Sequence, residues 1–194
     1  MEFIELESER LLYRRFARED FPIVFDWLGN AEDMRYRLGD PRTETEAWGY
    51  MDWAMSSAET EDIRNFEYAV VLKENGALIG SASLFDLANV PDLGWMIHRD
   101  YQRQGYGTEC GRTMLRLGFD ILGFRRIVAG CDAENYGSYR IMERIGMRRE
   151  AYLIKARQGN CVLDYEWRDA VRYAVLKEEY RVDIARRIYR ADKH

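Results

Sequence analysis

Histidine is nearly absent. The 194 residues hold only His98 and His194, and no GxSxG accompanies them, so a serine–histidine hydrolase lacks its parts. Cysteine is scarce too: Cys110, Cys131 and Cys161 are an odd number without a CxxC pair, which argues against a disulfide framework or a zinc knuckle. With no HExxH and no cysteine–histidine cluster, no metal is expected. A GxxxxGK[ST] phosphate loop is missing. No apolar run exceeds a strand's length, Tyr68 to Leu72 being typical, so no transmembrane helix and no membrane partner are expected. The opening Met1-Glu2-Phe3-Ile4-Glu5 lacks the basic-then-apolar layout of a signal peptide, and cytoplasmic residence is the expectation. Repeats, low-complexity tracts and Pro/Gly-rich linkers are also missing, so no domain boundary is placed before about residue 177.

What is present describes an ordinary globular chain, 47% apolar and 32% charged, long enough for one domain and an appendage. The net charge of −5 argues against nucleic acid as a partner. Its distribution is uneven. Arg18 to Glu67 carries 13 acids against 5 bases, whereas Arg99 to Arg126 carries 6 arginines against 3 acids. One region favours cations and the other anions, unless both are plain solvated faces.

Periodicity predicts strands over 10–16, 66–72, 77–84, 93–97, 126–131, 147–156 and 167–176. Asn75-Gly76 marks a hairpin between the second and third. Asp20 is read as the cap of a helix carrying Phe21, Val24, Phe25 and Leu28 on one stripe. Asp40-Pro41 is read as opening a second, with Trp48, Met51 and Met55 on a core stripe. A third runs from Thr108 to Leu122 with Cys110, Met114, Leu117 and Ile121 inward. A fourth spans Asn135 to Ile145, closed by Gly146 in a left-handed C-cap. The order implies an α/β layer with one mixed sheet of about seven strands flanked by helices.

The stretch Gln102-Arg103-Gln104-Gly105-Tyr106-Gly107-Thr108 carries chemistry. Its glycines let successive amides converge, and the helix that follows adds unpaired N–H groups and a positive dipole end, which together suit a phosphate or pyrophosphate. Arg99, Arg103 and Arg112 add charge, and a side chain at Gly107 is expected to intrude where phosphate sits. A loop that merely turns is the alternative. A dinucleotide fold fits poorly, because position 110 is Cys, seven residues separate Ile97 from Gly105, and Asp132 is the nearest approach to its ribose-binding acid.

Gln102-x-x-Gly105-x-Gly107 resembles the Q/R-x-x-G-x-G/A pyrophosphate loop of the GNAT N-acetyltransferases. Asn135-x-x-Ser138 with Glu143-Arg144-Ile145-Gly146-Met147 through Glu150 resembles the RimJ/RimL subgroup, which acetylates ribosomal-protein N-termini. Ser8-Glu9-Arg10-Leu11 is similar to its opening strand, and Trp167-Arg168-Asp169 to its closing W-x-D strand. The resemblance covers an N-acetyltransferase domain over 8–177, leaving 178–194 as an amphipathic helical extension with Tyr180, Ile184 and Ile188 on one stripe. That stripe suits packing on its own domain or on a second copy, so a homodimer is allowed.

The resemblance implies a GNAT fold that takes acetyl-CoA as acetyl donor, without metal, and passes the acetyl group to a primary amine by direct attack. By the same resemblance Met96 and Ile97 pair with the pantetheine, Arg103, Gln104, Gly105, Tyr106, Gly107 and Thr108 surround the pyrophosphate, and Asn135 contacts the pantetheine arm unless it only caps its helix. Many members protonate the departing thiolate with a tyrosine, but Met142 stands at that position. Ser138 is the catalytic candidate instead, its alternative being a residue of the helix's first turn. One member type uses a glutamate where this chain has Arg157, which cannot accept a proton. Glu67, Asp86, Asp164, Glu166 and Asp169 remain as possible bases, though the W-x-D aspartate also suits a structural hydrogen bond. A protein N-terminus, a polyamine and an aminoglycoside all fit as acceptors. An acyl-CoA-binding protein with weak or lost catalysis is the second reading.

Overall fold

A computed structural model describes residues 3–57 and 65–180. Glu59, Glu61, Ile184 and Ile188 lie outside the described residues. Eight strands form one sheet: β1 (Leu6–Glu7), β2 (Leu11–Arg14), β3 (Phe66–Leu72), β4 (Leu78–Phe85), β5 (Asp92–Ile97), β6 (Arg126–Asp132), β7 (Arg148–Gln158) and β8 (Trp167–Leu176). Their spatial order is β1-β2-β3-β4-β5-β6-β8-β7, antiparallel throughout except between β5 and β6. This is the mixed α/β sheet expected, with one strand more than about seven. The extra strand, β1, is two residues long, too short to show an alternation in sequence.

Helices cover both faces. α1 (Phe21–Leu28), α2 (Ala31–Met34) and α3 (Glu44–Ser56) lie on one side, where Val24, Trp27, Met34, Ala47 and Met51 pack on Ala69 and Met96 of the sheet. α4 (Tyr106–Arg116) and α5 (Tyr136–Arg144) lie on the other, where Cys110, Met114 and Met142 meet Tyr68, Val70, Leu84 and Ile127. Each fully buried Leu, Val or Phe in these layers contributes roughly 1.5–3 kcal/mol from removal of apolar surface from water.

Three local readings are corrected, and one short helix is added. Asp20 precedes α1 but makes no cap, because its carboxylate is taken by the Arg14 guanidinium at 2.7 and 2.8 Å and by Ala17 N–H at 2.8 Å. Asp40 does not open α3 either: it accepts from Cys161 N–H and Tyr165 Oη, both at 2.8 Å, and the helix starts at a Thr43–Glu46 capping box. α2, capped by Asn30, was too short to show a period. Ile121 is 48% exposed rather than inward, because α4 passes into a π turn over Leu117–Ile121. There Leu122 N–H donates to Leu117 O at 2.9 Å, and the wider turn carries Phe119 inward in its place. Gly146 does take the left-handed C-cap, at φ 93°. Tyr180, at the start of the extension, packs on Phe119 at 5.0 Å, within its own domain. Among the described residues no helix is long and apolar enough to cross a membrane.

Candidate active site

Parallel pairing between β5 and β6 lasts for a single position, Asp92 opposite Val128. Beyond it the strands part, since β5 follows β4 up to Ile97 while β6 follows β8 up to Asp132. Main-chain groups alternate sides along a strand. His98 N–H donates to Ile79 O of β4 at 2.8 Å, and Val128 N–H donates to Pro91 O at 2.9 Å. That alternation turns Trp95 and Ile97 toward the opening and Met96 toward β4. Ile97 therefore faces the opening, with its carbonyl held by Gln102 Nε2 at 2.9 Å. Met96, also expected to face the pantetheine, turns its main chain to β4 and buries its side chain under α1 and α3, and Trp95 is the residue whose main chain borders the gap.

At the open end the chain turns through Arg103, at φ 62°, and Gly105, at φ 87°, before entering α4. A left-handed arginine is uncommon, and left-handed turns of this kind curl successive amides toward one point. The first bond into the helix is Glu109 N–H to Gly105 O at 3.1 Å, and no side chain caps the start. The amides of Tyr106, Gly107 and Thr108 thus precede any intrahelical acceptor. Arg10 pins this loop from β2's side. Its Nη1 donates to Gln104 O at 3.0 Å, its guanidinium lies 4.3 Å over the Tyr106 ring, and its Nε meets Glu109 Oε2 at 2.8 Å. Glu109 Oε1 also accepts from Arg10 N–H and Ser8 Oγ, at 2.8 and 2.7 Å. Burial alone would raise the Glu109 carboxyl, but these bonds outweigh it and hold it below the usual range. Nothing local signals Arg10, because its partner is 99 residues away.

Gly107 serves packing. A Cβ there would lie 2.7 Å from Ile141 Cδ1 and 3.8 Å from Ile97 Cγ1, so the missing side chain lets α4, α5 and β5 close together. α5 then follows β6 as α4 follows β5, both from the C-terminal ends of parallel strands, where α/β sheets hold ligands. Asn135 caps α5 by accepting Ser138 N–H on Oδ1 at 3.0 Å. The Ser138 hydroxyl sits beside the Cys131 thiol, which burial pushes up to about 11 against the pull of that hydroxyl. Ile97, the 103–108 turn, Asn135 and Ser138 are thus gathered at one end of the opening.

Met142 is 1% exposed in the core and Arg157 Nη2 donates to Tyr36 O at 3.0 Å, so neither handles a proton. Asp132 is tied to Arg168 Nε at 2.6 Å. The five candidate carboxylates separate clearly. Asp86, Asp164 and Glu166 are exposed. Asp169 accepts Lys155 N–H and Tyr152 Oη at 2.9 and 2.7 Å, bonds that hold its carboxyl low and stitch an irregular stretch of β7. Glu67 alone is buried, on β3 facing α3, and burial pushes it up to about 7.

The wall opposite the loop is tied together. Asn160 Nδ2, in the β7–β8 connection, donates to Met34 O and Gly39 O at 2.7 and 3.1 Å, fixing the segment between α2 and α3. Trp48 stacks on Phe21 at 3.8 Å, in keeping with the core reading, while Trp53 is exposed. A separate hollow of about 560 Å³ lies where β5 and β6 are still paired, far from Ser138, and its Arg172 and Asp92 are joined at 2.9 Å. No group of three or more metal-ligating side chains occurs among the described residues.

Residues 10–148 match the acetyltransferase (GNAT) domain family. The chain is similar to the uncharacterized N-acetyltransferase YnaD of Bacillus subtilis, 30% identical over 180 residues that cover 91% of this chain and 99% of YnaD. A solved GNAT-family acetyltransferase from Bacillus anthracis is 30% identical, with a TM-score of 0.79 over 91% of this chain and 100% of that one. A spermidine N-acetyltransferase from Vibrio cholerae, solved with CoA and spermine, shares the fold at 19% identity and a TM-score of 0.74, covering 88% of this chain and 98% of that one.

Proposed function

This chain belongs to the GNAT N-acetyltransferases, enzymes that draw their acetyl group from acetyl-CoA, and from that premise we propose that it acetylates the primary amine of a cationic acceptor. A polyamine and a protein N-terminus are the acceptor classes, the latter in keeping with the RimJ/RimL-like Asn135-x-x-Ser138 pattern. The observation that carries the reading is the parting of β5 from β6 beside the unpaired amides at the head of α4. Trp95 and Ile97 would pair with the amide-bearing pantetheine, and the amides of Arg103 to Thr108, with their arginine, would hold the pyrophosphate. Asn135 keeps the start of α5 in place for both. Bound acetyl-CoA supplies an activated thioester. Ser138 would donate a hydrogen bond to the departing sulfur, stabilising charge as it develops.

The acidic balance of 18–67 supports a cationic acceptor, as does the Vibrio cholerae structure's spermine. An N-terminal amine, with a pKa of about 7.7–8.0, needs little help to lose its proton, whereas an aliphatic amine near 10.4 needs a base. The test is thiol release from acetyl-CoA with a panel of polyamines, alanine-initiated peptides, aminoglycosides and neutral amines, products read by mass spectrometry. Turnover of a polyamine or peptide N-terminus is expected. Turnover confined to neutral amines, or no thiol released with any amine, refutes the reading.

A further inference from the structure

A buried carboxylate in mid-sheet demands an explanation. Glu67 is 4% exposed: Tyr50 Oη donates to Oε1 at 2.7 Å, while Oε2 is buried with the Ser81 and Ser83 hydroxyls nearby but no well-formed hydrogen bond among the described residues. An unmet buried carboxylate oxygen is costly, and a chain needing only packing here would do better with an apolar side chain. The register shows what lies beside this carboxylate. Glu67 lies opposite Ser83 on β4, and Ser83 lies opposite Gly94 on β5, two residues past the point where β5 and β6 part. Gly94 is bare for a reason: a Cβ would fall 2.6 Å from Ser83 Oγ. Carboxylate and hydroxyl therefore lie in one row across the sheet, and the missing side chain at Gly94 leaves room between Ser83 and the edge of the opening, about 10 Å for two strand spacings.

We propose that Glu67 is the group that accepts the acceptor amine's proton, reached from the β5–β6 opening along Ser83 and Gly94. The proposal rests on the acetyltransferase reading and deepens it. Ionised Glu67 takes one proton from the bound ammonium, relayed by the Ser83 hydroxyl and intervening water, leaving a neutral amine. The amine nitrogen bonds to the thioester carbon, the carbon–sulfur bond breaks with its electron pair on sulfur, and the second amine proton ends on the thiolate. Glu67 returns its proton to solvent as the product leaves.

Its surroundings fit that task. The titratable and charged groups facing it are Tyr50 from α3 and Arg37 from the segment after α2; β4 brings only Ser81 and Ser83, and β5 only Gly94 and Met96. Burial pushes the carboxyl up, while Tyr50, Ser81, the Arg37 charge and Ser83 oppose it, leaving it near 7, where a base is half ionised at working pH.

The experiment compares the rate against pH for wild type, Glu67→Gln and Tyr50→Phe under saturating acetyl-CoA, with spermidine and an alanine-initiated peptide as probes. Wild type should rise with a midpoint near 7. Glu67→Gln should lose roughly a hundredfold or more at neutral pH. With spermidine it should recover as pH climbs toward the amine's own pKa. Tyr50→Phe removes a bond that favours the ionised form, so its midpoint should move up. A Glu67→Gln profile parallel to wild type, or an unmoved midpoint in Tyr50→Phe, overturns the proposal while leaving the acetyltransferase reading intact. A silent wild type overturns both. Should Glu67→Gln fail to fold, ¹³C titration of the wild-type carboxyl decides: a midpoint near 7 supports the assignment, and one in the ordinary carboxylate range refutes it.

Discussion

Gly107 offers a sharp test of what shapes the cofactor end of the site. Replacing it with Ala puts a Cβ 2.7 Å from Ile141 Cδ1, a contact that real side chains avoid, so Ile141 must leave its rotamer or α5 must shift. Core overpacking costs about 1–3 kcal/mol, and because the atom that must move is the tip of the half-buried Ile141 side chain the low end of that range applies. Against it stands a helix-propensity gain of up to about 1 kcal/mol, smaller in the first turn. A net loss of up to about 1 kcal/mol follows, or up to roughly 2–4 °C in Tm for a chain this long. Ile141→Val removes the offending methyl, and its next atom, Cγ1, would lie 3.7 Å away, an ordinary contact. Alone it should cost about 0.5–1.5 kcal/mol. In the double variant the clash is gone, so its loss should not exceed that of Ile141→Val and the coupling should reach about 1 kcal/mol. Denaturant unfolding measures the cycle, and calorimetric titration with CoA reads binding in parallel. Additive losses refute the packing account. Full stability with CoA affinity lost in Gly107→Ala also refutes it, since the missing side chain would then face the ligand.

Glu109→Gln should lower stability by about 1–2 kcal/mol at neutral pH through its weakened bonds to Arg10 and Ser8. The native Glu109 carboxyl sits below its unfolded pKa, so its stabilisation is complete above the unfolded value and fades as pH falls through the native one; the two proteins should converge in acid, and a constant gap counts against the bonds. Ser138→Ala should lower kcat and kcat/KM alike and leave CoA affinity nearly intact, whereas equal rates at saturating acetyl-CoA would return Ser138 to a first-turn residue. For a cationic acceptor, kcat/KM should fall from low to physiological salt at saturating CoA, and Glu44→Lys with Asp52→Lys should raise its KM. Glu46 is left out because it closes the cap of α3. Indifference to salt would make the acidic stretch a solvated face.

The sequence by itself determined those features whose physics is local. The 66–84 hairpin, the α5 cap at Asn135 and the left-handed Gly146 depend on residues a few positions apart, and so does the glycine-bearing turn into α4. Tertiary structure decided whatever depends on a partner far along the chain. Asp40 is a good cap in isolation, yet Cys161 and Tyr165, 121 and 125 residues on, offered its carboxylate stronger bonds; Asp20 lost its cap nearer by, to Arg14 and Ala17. Trp95 rather than Met96 borders the opening because strand pairing sets which way each residue's main chain points, and a one-residue difference reverses it. The parting of β5 and β6 comes from their separate partners, β4 and β8, which pull two parallel neighbours apart. Five carboxylates look alike in sequence, since a carboxyl's pKa is set by its surroundings. Only folding put Glu67 under α3 with one oxygen unmet and left the rest to solvent or to structural bonds.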